Sequence, residues 1–272
     1  MFLRAALLGL SLLASPLAAA PAAHAANAAA TLTPDDVANA FSDEEIIDGF
    51  TKTVFGAESR GTNADTTRLH KFVAPIRVYI VSTAMTDRRP QVERFIRVLN
   101  RTVANLQIRT VKSRDDANMI VFLVNRSEYR KVIRETMPAD FDTRFLESNH
   151  CSAVTGGRQN GVLDSAFVFI AASEGWKQFR HCMVEEIVQS RGPVNDDFTL
   201  PYSIFNDYSE VEGFGIFDWF ILNALYDKRV KPGMTVEEVK KVLPRAIADA
   251  RKRLKKLVAS KVIETGSANG GR

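Results

Sequence analysis

The amino-acid sequence predicts an α+β domain in which a mixed sheet with backing helices is followed by a site helix and a helical C-terminal half. Three observations lead to this fold class. Segments rich in β-branched residues surround an amphipathic segment in the first half, apolar helical segments dominate the second half, and no clear linker separates the halves. The 272 residues are 46% hydrophobic and 25% charged, which excludes a disordered, collagen-like or disulfide-dense chain.

The first 25 residues have the pattern of a secretory signal peptide. A basic start at Arg4 precedes an apolar run over 5–14, and Ala23-His24-Ala25 supplies an A-x-A cleavage site. We therefore expect an exported bacterial protein, periplasmic or secreted, although an uncleaved N-terminal anchor is an alternative. No later segment is apolar and long enough to cross a membrane. The formal net charge of +4 gives no reason to expect a nucleic-acid partner.

The domain itself is predicted over 42–262, between a flexible lead-in at 26–41 and a disordered tail at 263–272. Its first helix begins at the capping box formed by Ser42 and Glu45 and ends near Gly56. The other predicted elements of the sheet half are strands at 75–81, 108–111, 119–124 and 162–172, helices at 92–106 and 127–136, and a glycine-rich loop at 155–161.

The second half is predicted to be helical around one long polar connection. A helix over 175–191 stops at Gly192-Pro193, and a polar segment of about twenty residues follows, which is long for a compact domain and therefore points to function. An apolar helix follows at 216–226. A second capping box at Thr235 begins another helix, which Pro244 is expected to break or restart.

Two cysteines, Cys151 and Cys182, remain after removal of the signal peptide. In an oxidising compartment an isolated pair of cysteines usually forms a disulfide. Two buried free thiols are the alternative. Their spacing contains no C-x-x-C and does not indicate a metal site.

The candidate site lies on the helix predicted over 175–191. Glu185 and Gln189 are one helical turn apart and Glu186 is beside them, which is the spacing of the zinc-protease motif H-E-x-x-H. Gly192 and Asn195 stand where the longer motif has its glycine and third ligand, and Met234 could form a downstream Met-turn. The preceding strand–helix–strand–strand–helix–strand order also indicates a zincin-like fold.

The chemistry of these side chains argues against a zinc enzyme. Glu185, Gln189 and Asn195 offer oxygen atoms, whereas zinc sites are built mainly from His, Cys and a carboxylate. We expect no cofactor and no metal. If a metal binds at these three residues, a hard cation such as calcium fits better.

Three hypotheses for function follow. In the first, Glu185, Gln189 and Asn195 form a polar cluster without a catalytic metal on a binding or structural protein. In the second, a hydrolase uses Glu186 as its general base, assisted by an oxygen-ligated cation or by Asp196 or Asp207. The segment around Asn206 would complete the site in either case. In the third, the protein is an interaction module whose aromatic surface consists of Tyr202, Phe205, Tyr208, Phe214 and Trp219. The alternative for these aromatic residues is burial in the core.

Several segments together resemble a known family: 182–189, Gly192, 195–196, 203–207, Asp218, 224–227 and 232–234, with an extension back to 55–58 and the strand at Ile76. The chain resembles domain-of-unknown-function family 2927 over most of 45–245. That family consists of exported bacterial proteins. It resembles the zincin metallopeptidases, but it has E-E-x-x-Q where the zincins have H-E-x-x-H. The sequence has Arg191 and Pro193 where the family tends to have Leu. The resemblance implies a fold and a compartment but no reaction, and leaves the partner open, with an envelope protein or a peptide as candidates.

Overall fold

The computed structural model describes residues 32–56, 66–157, 160–206, 208, 211 and 213–263. The predicted signal peptide and all but the first residue of the predicted tail lie outside these ranges. The described residues form one compact unit. None of the helices in the described ranges combines the length and the apolar character that crossing a membrane requires.

The strands of the described residues form one mixed sheet. It contains β1 (Lys71–Phe72), β2 (Ile76–Ser82), β3 (Ile108–Thr110), β4 (Met119–Val124), β5 (Cys151–Gly157) and β6 (Val162–Ala171). The order β1-β6-β4-β2-β3 is parallel throughout, and β5 pairs with β6 in the antiparallel direction. The predicted mixed sheet with helices is therefore confirmed.

The described helices are α1 (Pro34–Ala38), α2 (Asp43–Val54), α3 (Arg89–Thr102), α4 (Arg126–Thr136), α5 (Arg144–Ser148), α6 (Trp176–Gln189), α7 (Ile216–Leu225), α8 (Val236–Lys240) and α9 (Leu243–Ala259). The capping boxes at Ser42 and Thr235 begin α2 and α8 as predicted. Pro244 lies in the first turn of α9, where its missing N–H costs no helical hydrogen bond.

Apolar side chains fill both faces of the sheet. The larger core includes the apolar stripe of α3, the apolar residues of α7 after its first residue, and the inner faces of α2, α6 and α9. A smaller cluster on the other face joins Tyr129 and Ile133 of α4 to Phe122 and Phe169 of the sheet. Because both faces of the sheet are buried, all residues of β4 are apolar.

Two predictions are corrected by the structure. Part of the lead-in expected to be flexible is α1, which begins at a capping box between Thr33 and Asp36 and packs against α9. The first three residues of the predicted 155–161 loop belong to β5. Gly156 suits that strand because a Cβ atom there would lie only 2.3 Å from the hydroxyl oxygen of Ser165 on β6.

Candidate functional site

The site helix α6 is tied to strand β5 by a disulfide. Cys151 begins β5 and Cys182 lies in the middle of α6, with their Cα atoms 5.7 Å apart. The predicted disulfide is therefore confirmed. It holds the acidic part of α6 against the antiparallel strand of the sheet.

The C-terminal half of α6 is buried on all sides. Apolar residues such as Phe179, Ile187 and Val188 place the helix inside the core, and the polar side chains between them become buried too. Glu185 and Glu186 are only 6% and 5% exposed. The turn after α6 passes through Gly192, whose φ of 137° suits glycine, and a Cβ atom there would lie 2.4 Å from the carbonyl oxygen of His70.

The two carboxylates belong to a cluster of side-chain atoms of the kinds that can bind a metal ion. The Sγ atom of Cys151 and one oxygen each of Glu185 and Glu186 lie within 4.8 Å of one another. The Nε2 atom of His181 lies 3.1 Å from Oε2 of Glu185, one turn along the same helix. His181 was not among the predicted site residues, and its signal in the sequence is an H-x-x-x-E pattern that places it one helical turn before Glu185.

Arg191 lies just after α6. Its side chain folds back along this helix and donates to the carbonyl oxygen of Ile187. It is fully buried, and this burial lowers the pKa of its guanidinium to about 10. The cationic partner that the structure gives Glu185 is His181, when its imidazole is protonated.

The residues after α6 attach this helix to α2. Gln189 donates to Oδ1 of Asp196 over 2.7 Å, and the Asn195 side chain donates to the carbonyl oxygen of Lys52 over 2.9 Å. The backbone N–H of Asn195 donates to the carbonyl oxygen of Thr53. These contacts turn Asn195 toward α2.

Asn206, another predicted site residue, stabilises the polar connection after α6. The Asn206 side chain donates to the carbonyl oxygens of Phe198 and Leu200 and accepts from the N–H of Tyr208. Asp207 lies outside the described residues. Asn206 therefore has a fixed structural role in this loop.

A buried carboxyl group that the site prediction did not include stabilises the same connection. Asp218 near the start of α7 accepts hydrogen bonds from the Ser203 hydroxyl at 2.7 Å and from the N–H groups of Ile204 and Gly215. Burial raises the pKa of Asp218 to about 7, against the opposing effect of these hydrogen bonds. The sequence signal for it was its position three residues after a helix N-cap.

The aromatic residues of the predicted interaction surface differ in how far they are buried. Phe205 and Trp219 are buried, whereas Tyr202 and Tyr208 are 56% and 88% exposed. Phe214 packs against the core and lies edge-on to Phe95. These five residues therefore do not form one surface.

On the face of β5 opposite to Cys151, Ser152 forms a buried hydrogen bond with Tyr129. The Tyr129 hydroxyl donates to the Ser152 hydroxyl over 3.1 Å, and that hydroxyl donates in turn to backbone carbonyl oxygens. Burial, with a smaller contribution from Glu186, raises the pKa of Tyr129 above its usual range. Tyr129 is therefore neutral and acts as a hydrogen-bond donor that fixes the beginning of β5.

The fold and the site together define an α/β protein whose buried acidic helix is joined by a disulfide to an antiparallel strand of the sheet. Residues 43–245 match the family described as "Protein of unknown function (DUF2927)", and the chain belongs to this family. Comparison with curated proteins and with solved structures gives no match.

Proposed function

We propose that this chain is an exported binding protein on a degenerate zincin-like scaffold, and that it binds an extended peptide along β5 beside Glu185 and Glu186. The observation that carries the proposal is the outer edge of β5. Within the described ranges this strand pairs only with β6. Unpaired strand edges bind peptides by adding a strand to the sheet.

The register identifies the groups that would meet the peptide. The N–H of Ala171 donates to the carbonyl oxygen of His150, and the pairing then continues with Ser152 and Val154 as the residues bonded to β6. The N–H and C=O groups of Ala153 and Thr155 therefore point away from β6. Both residues are partly exposed, so these groups are the expected contacts of a bound peptide.

The order of the elements supports the zincin-like part of the proposal. Strand β2, helix α3 and strands β3 and β4 are followed by helical turns, β5, β6 and then α6. Two of the three residues at the ligand positions of the zincin motif form other contacts: Gln189 donates to Asp196, and Asn195 donates to α2. These contacts support a scaffold that has lost the metal site of the zincins. The proposed binding requires no metal or other cofactor.

A proline at position 153 tests the peptide-binding proposal. Ala153→Pro removes an outward N–H while leaving the hydrogen bonds between β5 and β6 intact. We expect the affinity for a panel of unstructured synthetic peptides, measured by calorimetry, to fall at least about fivefold. Ala153→Ser keeps the N–H at almost the same side-chain size and is the matched control. Equal affinities of the folded proline and serine variants, or no binding by the wild type, would contradict the proposal.

A hydrolase is the second candidate, favoured by the buried pair Glu185 and Glu186 beside the proposed peptide strand. Glu186 would accept a proton from an attacking water, the role that its motif position has in metallopeptidases. Glu186→Gln keeps the shape of the side chain and removes the base. Loss of a measurable casein hydrolysis with unchanged stability would favour the hydrolase. Lower stability, with no hydrolysis in the wild type to lose, would assign Glu186 a structural role.

A further inference from the structure

A row of apolar side chains crosses one face of the sheet and ends at the outer edge of β5, the edge that does not face β6. Its members come from β2, β4, β6 and β5 and are direct partners in neighbouring strands: Tyr79, Ile120, Phe167 and Val154. All of these residues are partly exposed. Ile120, Phe167 and Val154 pack against the smaller apolar cluster of the sheet. Val154 therefore presents the end of an apolar surface beside the proposed peptide.

We propose that the bound peptide places a β-branched or aromatic residue opposite Val154, so that its side chain extends this row by one member. The inference rests on the proposed peptide binding along β5 and specifies the class of residue that this edge selects. Paired residues of neighbouring strands point to the same face of a sheet, and apolar pairs between strands stabilise the pairing. A peptide residue opposite Val154 therefore covers apolar surface that water contacts in the free chain.

The hydrogen-bond pattern of β5 brings the two side chains close to each other. The backbone N–H and C=O groups of Val154 point to β6, so an antiparallel peptide meets Val154 as a non-hydrogen-bonded pair. Side chains are closer in such a pair than in a hydrogen-bonded one. The adjacent peptide residues lie opposite Ala153 and Thr155, so their side chains point to the other face of the sheet. The selection therefore acts on every second residue at most.

The neighbours of Val154 on its own face restrict the selection to one peptide position. Ser152 is 5% exposed, and its hydroxyl is hydrogen-bonded to Tyr129 and to backbone carbonyl oxygens. Gly156 has no side chain. An apolar peptide residue opposite either position would find little apolar surface, whereas one opposite Val154 meets the exposed part of a valine.

Two synthetic peptides measure the selection. Both consist of threonine residues with a lysine at each end, and the central residue is isoleucine in one and serine in the other. We expect calorimetry to show that the wild-type chain binds the isoleucine peptide about fivefold more tightly, as one additional apolar pair between strands predicts. Equal affinities for the two peptides would overturn this inference and leave the proposed peptide binding intact. Binding of neither peptide would overturn both.

Two variants with the same substitution locate the selected position. Val154→Thr keeps the β-branched shape and replaces one methyl group by a hydroxyl, so the preference for isoleucine should fall below about twofold. Retained binding of the serine peptide shows that this variant is folded.

Val81→Thr is the matched control. Val81 is also partly exposed and packs against the smaller apolar cluster, but it lies on β2, which β4 and β6 separate from β5. This variant should keep the preference of about fivefold. A full preference in Val154→Thr, or an equal loss of preference in both variants, would overturn the assignment of the selection to Val154.

Discussion

At the scale of single residues, burial decides what the polar side chains of this site do. Glu185, Glu186 and Gln189 lie on a helix that the core surrounds, so each must be matched by contacts inside the protein. Helical spacing alone predicted that the three residues share one region of α6. The partners of Gln189 and Asn195 come from other segments, and such contacts across space have no signature in local spacing.

Asp218 provides a prediction about pH dependence. Its pKa is raised by burial to about 7 in the folded chain, whereas an aspartate in an unfolded chain has a pKa of about 3.9. Unfolding therefore releases this proton between about pH 4 and pH 7. Raising the pH across that window should reduce the free energy of unfolding by up to about 1.4 kcal/mol per pH unit.

Urea unfolding of the wild type and Asp218→Asn at several pH values checks this prediction. The substitution removes the titration and adds only a constant change in stability. The wild type should therefore lose stability relative to the variant as the pH rises from 4 to 7. Parallel pH profiles for the two proteins would show that Asp218 is ionised throughout this range in the folded chain.

At the scale of elements, the cysteine bridge contributes to stability by joining α6 to the sheet. The bonded residues are separated by 31 positions. In the chain-entropy model a loop of this length contributes about 3–4 kcal/mol. Replacing both Cys151 and Cys182 by Ser should lower the free energy of unfolding by about that amount under non-reducing conditions. A change below about 1 kcal/mol would mean that the bridge contributes little to the stability of the fold.

Helix α9 contains a basic run over 251–256, whose first residue, Arg251, forms contacts inside the protein. Arg251 of α9 donates to Asp43 at 2.6 Å and to the carbonyl oxygen of Phe41 at 2.8 Å, and its guanidinium lies 5.4 Å from the ring centre of Phe220. These contacts join α9 to the start of α2. Arg251→Ala should therefore lower the free energy of unfolding by about 2 kcal/mol.

The matched control for Arg251 lies five residues further along the same helix. Lys256 is exposed, and its replacement by Ala should change the stability by less than about 0.5 kcal/mol. Thermal unfolding of the two variants measures the difference. Equal losses would mean that the contacts of Arg251 contribute no more than an ordinary surface charge.

Sequence patterns predicted the elements that carry strong local signals. The capping boxes at Ser42 and Thr235 and the apolar stripe of α3 gave the correct helices. Helix α1 was missed although Thr33 and Asp36 form a capping box, because a helix of five residues depends on its packing against α9. The strand character of Thr155 to Gly157 was missed because glycines usually indicate a turn, and here the neighbouring strand requires them.

At the scale of the whole molecule, the proposed export predicts a shorter mature protein. The cleavage pattern ends at Ala25, so the mature chain should begin near Ala26. Mass spectrometry of the protein recovered from the periplasm or the medium of a bacterial host measures this start. A recovered chain that still begins at Met1 would contradict cleavage and favour the N-terminal anchor.

The central claim, that a peptide binds along β5, is tested most directly by amide hydrogen exchange resolved at single residues. The outward N–H groups of Ala153 and Thr155 should exchange more slowly when a bound peptide accepts their hydrogen bonds, while Val154, already bonded to β6, should change little. The oxidised chain is measured with and without saturating peptide. Slower exchange at both outward positions is the predicted result. Unchanged exchange at Ala153 and Thr155, with the peptide bound, would contradict the claim.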